Sequence, residues 1–280
     1  MSGCELRKSA FLFAPLVIAA GNVAAQDIDS VRASYILPFP SAVTVGPDIA
    51  RSSPGSSSGT PTAYGSEWGD VFVGAGFQNR MRYVSDTLPL RQRADGAVVV
   101  GFGLGNPRKA VGIELALTSF STVRSGFFHH SSVSFKIHRA LPGNFAVAYG
   151  WEDWLRTKGL DGGSSMYGVV SSYIQTRENS ASPFGSITLS AGVGGGRFQT
   201  EKAIVAMKHG VNAFGSVGLR VMSPMSLIAD WTGQDLTLGA SIVPFARIPL
   251  FVTPAFADVT GLAGDGARFV MGVGLDFTLF

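Results

Sequence analysis

The sequence predicts an all-β fold, an antiparallel transmembrane β-barrel of about twelve strands, within a range of about 10–14. Three observations predict it. From Asp70 onward apolar residues alternate with small or polar ones in segment after segment. Most of these segments run to about 9–12 residues, longer than the roughly 5–6 of soluble sheets and suited to tilted spanning strands. The connections between them alternate between short and long.

A period of two places successive side chains on opposite faces. In DLTLGASIV, Leu236, Leu238, Ala240 and Ile242 oppose Asp235, Thr237, Gly239 and Ser241. In GSITLSAGVGG, Ile187, Leu189, Ala191 and Val193 oppose Ser186, Thr188, Ser190 and Gly192. VSFKIHR sets Val133, Phe135 and Ile137 against Ser134, Lys136 and His138. NFAVAYGWE sets Phe145, Val147, Tyr149 and Trp151 against Asn144, Ala146, Ala148, Gly150 and Glu152. The expected strands lie near 71–80, 96–105, 111–121, 130–140, 144–152, 165–176, 185–195, 210–221, 225–231, 234–244, 249–259 and 268–280. Bulky apolar groups on one face and Gly, Ser, Thr and occasional charges on the other are the pattern of a barrel that is apolar outside and polar within. A soluble periplasmic β protein would instead turn the bulky groups inward.

With the chain entering from the periplasm, the periplasmic connections are GNPRK, LPG, RENSASP, SPMS and the ARIP region. The outer set is SDTLPLRQRAD, TVRSGFFH, EDWLRTKGLDGG, GRFQTEKAIVAMKH, TGQ and TGLAGDGA, longer apart from TGQ, as outer loops are.

Composition agrees. The chain has 36 Gly and 20 Phe and is only 15% charged, against roughly 25% in soluble domains, and its mean hydropathy is +0.26. The net charge of +3 calls for no polyanionic partner, and the basic residues are too scattered for nucleic acid. Cys4 is the single cysteine, so neither an intramolecular disulfide nor a thiolate metal cluster is available. Cys4 precedes the apolar run, which does not suit a lipidated cysteine.

Residues 1–25 read as a cleavable signal peptide: Arg7 and Lys8, an apolar run from Ala10 to Ala20, then Val23 and Ala25 two apart. Residues 26–69 are a Ser/Pro/Gly-rich flexible segment, with a possible short strand near Val31–Ile36 and RSSPGSSSGTPTAYGS toward its C-terminal end; a cell-wall-binding or plug segment is the alternative. Residues 70–280 are the barrel. No later run is long and apolar enough for a spanning helix, so membrane residence requires a closed barrel.

With the leader, the alternating strands and the aromatic terminus at Phe280, the chain resembles Gram-negative outer-membrane β-barrels as a broad class. The resemblance implies residence in the outer membrane after export, with outer-membrane lipids and the barrel-insertion machinery as partners. One departure concerns the last strand. Its apolar phase is Phe269, Met271, Val273, Leu275, Phe277 and Leu279, and Phe280 lies out of that phase. The class carries aromatic girdles, and Trp68, Tyr83, Tyr149, Trp151, Trp154, Tyr173 and Trp231 fall near expected strand ends.

The inward phase carries Arg80, Glu114, Lys136, His138, Glu152, Arg220, Asp230, Asp235, Asp258 and Asp276. Buried charges must be paired or hydrated, so these either line a small aqueous route or form a salt-bridged filling. Their mixed sign assigns no direction of ion selectivity. Adjacent His129 and His130 point to opposite faces of a strand and make a poor metal site. No GxSxG is present, His138 and His209 lack a recognisable nucleophile, and Asp153 and Asp161 of the outer loops lack an acid/base context. GVGGG at 192–196 and GFGLG at 101–105 lie outside any βαβ setting and read as interior glycines. The 197–210 loop reads as a solvated surface bearing Lys202, Lys208 and His209, with an infolded lid as the alternative.

The expected role is passive, either a pore for a small polar solute or a structural surface barrel, with no cofactor. Two other classes stay open: a barrel enzyme acting on lipid or surface glycan, and a soluble periplasmic protein binding an apolar ligand.

Overall fold

The computed structural model describes residues 53–280 apart from 83, 85, 86, 123–129, 158–162, 207, 246, 264, 265 and 280. The expected leader, the possible strand at 31–36, Tyr83, His129, Asp161 and Phe280 lie outside the described residues.

The chain forms β1 (Asp70–Gln78), β2 (Asp95–Gly105), β3 (Gly112–Phe120), β4 (His130–Leu141), β5 (Phe145–Arg156), β6 (Ser165–Gln175), β7 (Ser186–Gly194), β8 (Asn212–Met222), β9 (Met225–Trp231), β10 (Leu236–Ile242), β11 (Leu250–Ala257) and β12 (Arg268–Thr278). Two short helices interrupt the loops, α1 (Leu90–Arg93) and α2 (Glu201–Val205). Each strand pairs antiparallel with its sequence neighbours, and β1 pairs with β12, Asp70 opposite Thr278 and Gln78 opposite Val270. The result is a closed twelve-stranded barrel, and closure leaves no edge to pair with another chain.

The strands fall close to the segments read from the alternation. β5 is an exception, running on to Arg156. Phe135 pairs with Trp151 and Val133 with Leu155, so a bulge of Glu152–Trp154 opposes Ser134. Asp153 takes a left-handed φ of 54° there, its N–H bonded to Ser134 Oγ at 2.9 Å. The extra residues break the period of two, which hides the rest of the strand from a pattern search.

The connections divide between the two ends. One end carries the tightest turns, at Ser223–Pro224 and at Pro142–Asn144, but also the longer 176–185 connection, which departs from the expected alternation of loop length. In the Pro142–Asn144 turn, Gly143 and Asn144 have φ of 78° and 61°, the left-handed pair that joins right-twisted strands in a short hairpin. The other end carries longer loops, including 79–94 and 195–211, with 232–235 the short member.

The faces follow the predicted phase. On β7, Val193 is 54% exposed on the outside while Ser186, Thr188 and Ser190 are buried within. On β10, Leu238 faces out and Thr237 and Ser241 are wholly buried. On β12, Phe277 and Leu279 are exposed and Arg268 and Val270 buried. Among the described residues no helix is long and apolar enough to cross a membrane.

The barrel is not empty. Residues 54–66, part of the segment expected to be flexible, lie inside it, with Ser57, Thr62, Ala63 and Ser66 wholly buried. Small hydroxyl side chains gave this segment no apolar period, yet they suit a narrow polar lumen whose wall supplies their hydrogen bonds. Interior glycines make the room: a Cβ on Gly218 would stand 2.6 Å from Ser56 Cα, and one on Gly103 2.3 Å from the Glu67 carbonyl. Gly101 and Gly192 instead accommodate the inward rings of Phe72 and Phe214. Tyr173, expected in an outer girdle, is buried in the interior with Tyr64, Tyr167 and Phe214 because its position on β6 has the inward parity.

Candidate functional site: the occupied lumen

Residues 55–67 make a hairpin that enters and leaves by the turn end. Gly55 N–H donates to Ser241 Oγ (2.8 Å) near the turn end of β10. Ser56 packs on Gly218 midway along β8. The tip, Ser57–Thr60, reaches Asp230 one residue from the loop end of β9. The returning limb meets Ser171 Oγ through Ala63 N–H (2.8 Å), and Tyr64 Oη donates to the Asn144 carbonyl (2.9 Å). Trp68 N–H then bonds the Gly105 carbonyl (2.8 Å) at the end of β2, and β1 begins.

Asp230 grips the tip. Its Oδ2 receives the Ser58 and Gly59 N–H groups, both at 2.7 Å, with Ser58 Oγ at 2.9 Å and Ser57 Oγ at 3.0 Å. Successive backbone N–H groups in a tight turn form a nest for an anion. The SSSGT sequence permits this because no side chain larger than a hydroxyl obstructs the approach.

Lys136, Glu114 and His138 grip the returning limb. Lys136 Nζ lies 3.1 Å from Glu114 Oε1 and donates to the Tyr64 carbonyl at 2.9 Å. Glu114 Oε2 accepts Ser66 N–H at 3.0 Å. His138 Nε2 lies 3.0 Å from the Ser66 carbonyl; a carbonyl only accepts, so Nε2 carries the proton. Tyr64, pushed up to about 12 by burial and then by neighbouring Tyr173, keeps its donor proton at any physiological pH.

The β7–β8 loop folds into the other mouth, against β6, β7 and β8. Phe198 is wholly buried, stacked on Phe214 at 4.3 Å between centroids and edge-on to Tyr167 at 5.9 Å. Arg197 lies over the Phe198 ring at 4.2 Å, grips Glu152 through Nε (2.5 Å) and Nη2 (2.9 Å), and donates to the Gly59 carbonyl at 3.1 Å. Part of the loop is therefore infolded rather than solvated. Thr200 caps α2, and Ile204 is buried. Lys202, Lys208 and His209 remain exposed.

Beside this loop, Asp235 Oδ2 pairs with Arg82 and, at 3.2 Å, with Arg268. Gln234 bonds Arg82 through Oε1 and Glu201 through Nε2 (2.8 Å). Burial works to raise the Asp235 carboxyl, but Arg82 and Arg268 outweigh it and hold the group below its ordinary value. Wholly buried Asp258 is raised, first by burial and then by Asp235.

The ten inward charges thus separate into groups. Glu114, Lys136, His138 and Asp230 hold the hairpin, and Glu152 holds it through Arg197. Asp235 and Asp258 lie just beyond strand ends in the loop-end cluster. Arg80 sits there too, donating to the Gly266 carbonyl at 2.8 Å. Arg220 is at the turn end, bonded to the Ser223 carbonyl at 2.7 Å. Asp276 is half-buried near the turn end of β12.

Asp153 belongs to the β5 bulge and accepts Ser132 Oγ at 2.5 Å. The hydrogen bonds of the described residues bring no histidine to that pair. No group of three or more potential metal ligands occurs among the described residues.

Sequence reasoning offered a plug only as the alternative for 26–69 without naming Ser57–Ser66, and missed Arg82, Arg197 and Arg268. Arg268 was findable, because it precedes outward Phe269 and has the inward parity.

These features define a closed antiparallel barrel, apolar outside and polar within, whose lumen is occupied by its own chain. No protein-family model matches the chain, and no curated protein matches it. Among solved structures it is similar to the crystal structure of the Acinetobacter baumannii outer membrane protein Omp33, with 10% identity over 75% of this chain and 96% of that one, at a TM-score of 0.35. The class is defined here by the strand pairing and the two faces.

Proposed function

We propose that this protein is an outer-membrane β-barrel with a passive role, closed at rest by its own N-terminal hairpin. The observation that carries the reading is the hairpin 55–67, hydrogen-bonded along its length to the inner wall. Three features support the membrane setting. Exposed apolar side chains cover the outer face of the strands, as on Val170, Val193 and Phe256, which is costly in water and favourable in lipid. Apart from an aromatic cluster around Tyr167, Phe198 and Phe214, the interior holds hydroxyls and paired charges, which suit a polar lumen better than a site for an apolar ligand. Phe135, Tyr149, Trp151 and Trp154 cluster on β4–β5, Phe135 edge-on to Trp154 at 5.5 Å, and such amphipathic rings prefer the interface of a bilayer. The turn end then faces the periplasm and the loop end the outside.

Two properties test this reading together. The protein should fractionate with outer membranes, resist alkaline extraction and migrate as a compact species in detergent until heated. Once inserted in a planar bilayer it should stay non-conducting most of the time. A protein recovered folded in the soluble periplasmic fraction would contradict the membrane setting, and a steady open-channel current from the intact chain would contradict the closed state.

A further inference from the structure

We propose that residues 55–67 are a withdrawable gate, and that its exit through the turn end opens a hydroxyl-lined passage for small polar solutes. The inference rests on the membrane reading above. Four observations carry it.

Topology comes first. Gly55 lies by Ser241 and Trp68 by Gly105, both at the turn end, while Asp230 holds the tip near the loop end. The segment is a hairpin with both limbs at one mouth, so it leaves without threading a chain end through the barrel and without breaking a strand pair. Second, the limbs are held by individual polar contacts and no strand ladder, and Tyr64 and Ala63 are their only members in the apolar cluster. Third, a cavity of about 290 Å³ lies on the exit side of the returning limb, lined by Tyr64, Gly65, Glu67, His138, Pro142 and Ala146. The returning limb therefore already has free space toward the turn end.

The fourth observation is what the wall would present afterwards. Lys136 keeps Glu114 as a partner, so these two charges neutralise each other whether or not the hairpin is present. Ser171, Ser190, Ser216, Thr237 and Ser241 face inward. Hydroxyls donate and accept and replace the hydration shell of a small uncharged polar solute. Asp230 differs from the paired groups, because its bonds come from the gate alone. With the gate out it stands as a carboxylate facing the passage, so small cations should pass more readily than anions.

The test uses the refolded chain with Cys4→Ser in a planar bilayer, with KCl as the probe. Insertion is established first by heat-modifiable migration. In Asp230→Ala the tip loses its charge-assisted bonds, and the open fraction should rise by about tenfold or more, with a reversal potential in a KCl gradient showing preference for K⁺ before substitution and less after. In Gly55→Cys/Ser241→Cys, a Cβ at residue 55 stands 3.6 Å from Ser241 Cβ, a disulfide-compatible separation. The oxidised protein should show no openings, and reductant should restore them. Inserted protein that conducts equally oxidised and reduced overturns the gate, as does an inserted Asp230→Ala variant with no increase in openings. Failure of the unsubstituted chain to insert overturns the membrane reading instead.

Discussion

Lys136 and Glu114 face each other across β4 and β3, Nζ 3.1 Å from Oε1, and each also holds the backbone of the hairpin between them. Breaking a buried pair leaves a bare charge, which costs about 3–5 kcal/mol, whereas replacing both partners by apolar groups costs far less. Glu114→Leu and Lys136→Met should each destabilise the barrel more than the double variant does. Urea unfolding from lipid vesicles checks this; additive single costs would mean that the pair is hydrated and uncoupled.

Gly218 lies against the entering limb, where a Cβ would stand 2.6 Å from both Ser56 Cα and Cβ. Gly218→Val should expel the hairpin and leave the barrel intact, since the new side chain points into the lumen. A cysteine at Ser58 should then react faster with a water-soluble thiol reagent. An unchanged labelling rate would place the hairpin elsewhere.

Val217, the neighbour of Gly218, is 45% exposed on the outer face. Val217→Arg should cost about 2–4 kcal/mol of stability in a bilayer, the cost of a lipid-facing cation near the midplane. The same substitution on a water-facing strand would be close to neutral, so the comparison separates a lipid face from an aqueous one.

Acid should loosen the loop-end cluster. The Asp235 carboxyl is held below its ordinary value by Arg82 and Arg268. Its stabilising contribution is therefore complete above about pH 4, the ordinary carboxylate value, and is lost as pH falls through the depressed folded value. Protease cleavage of the 258–267 loop should rise below pH 4 in the unsubstituted chain. Asp235→Asn should raise cleavage at neutral pH and flatten that dependence.

The barrel was legible in the sequence because a period of two encodes strand, length and face at once. Leu238 and Thr237, or Val193 and Ser190, take the sides that their parity assigns. The end of β5 was not legible, because the bulge at Asp153 interrupts the period. The inward charges Glu114, Lys136, His138 and Asp230 were legible as inward, but parity carries no information about what a charge bonds. Their partner, SSSGTPTAYGS, reads as a chain that cannot bury apolar surface. That composition also serves a segment whose burial is hydrogen-bonded rather than hydrophobic. Arg82 and Arg197 lie in loops, where no period assigns a face.

Single-channel recording on a chain lacking residues 54–66, compared with the intact chain after equal insertion, tests the central claim most directly. The account predicts stable stepwise currents from the shortened chain where the intact one is mostly silent. Equal silence from both, or equal conductance, would contradict a lumen closed by its own N-terminal hairpin.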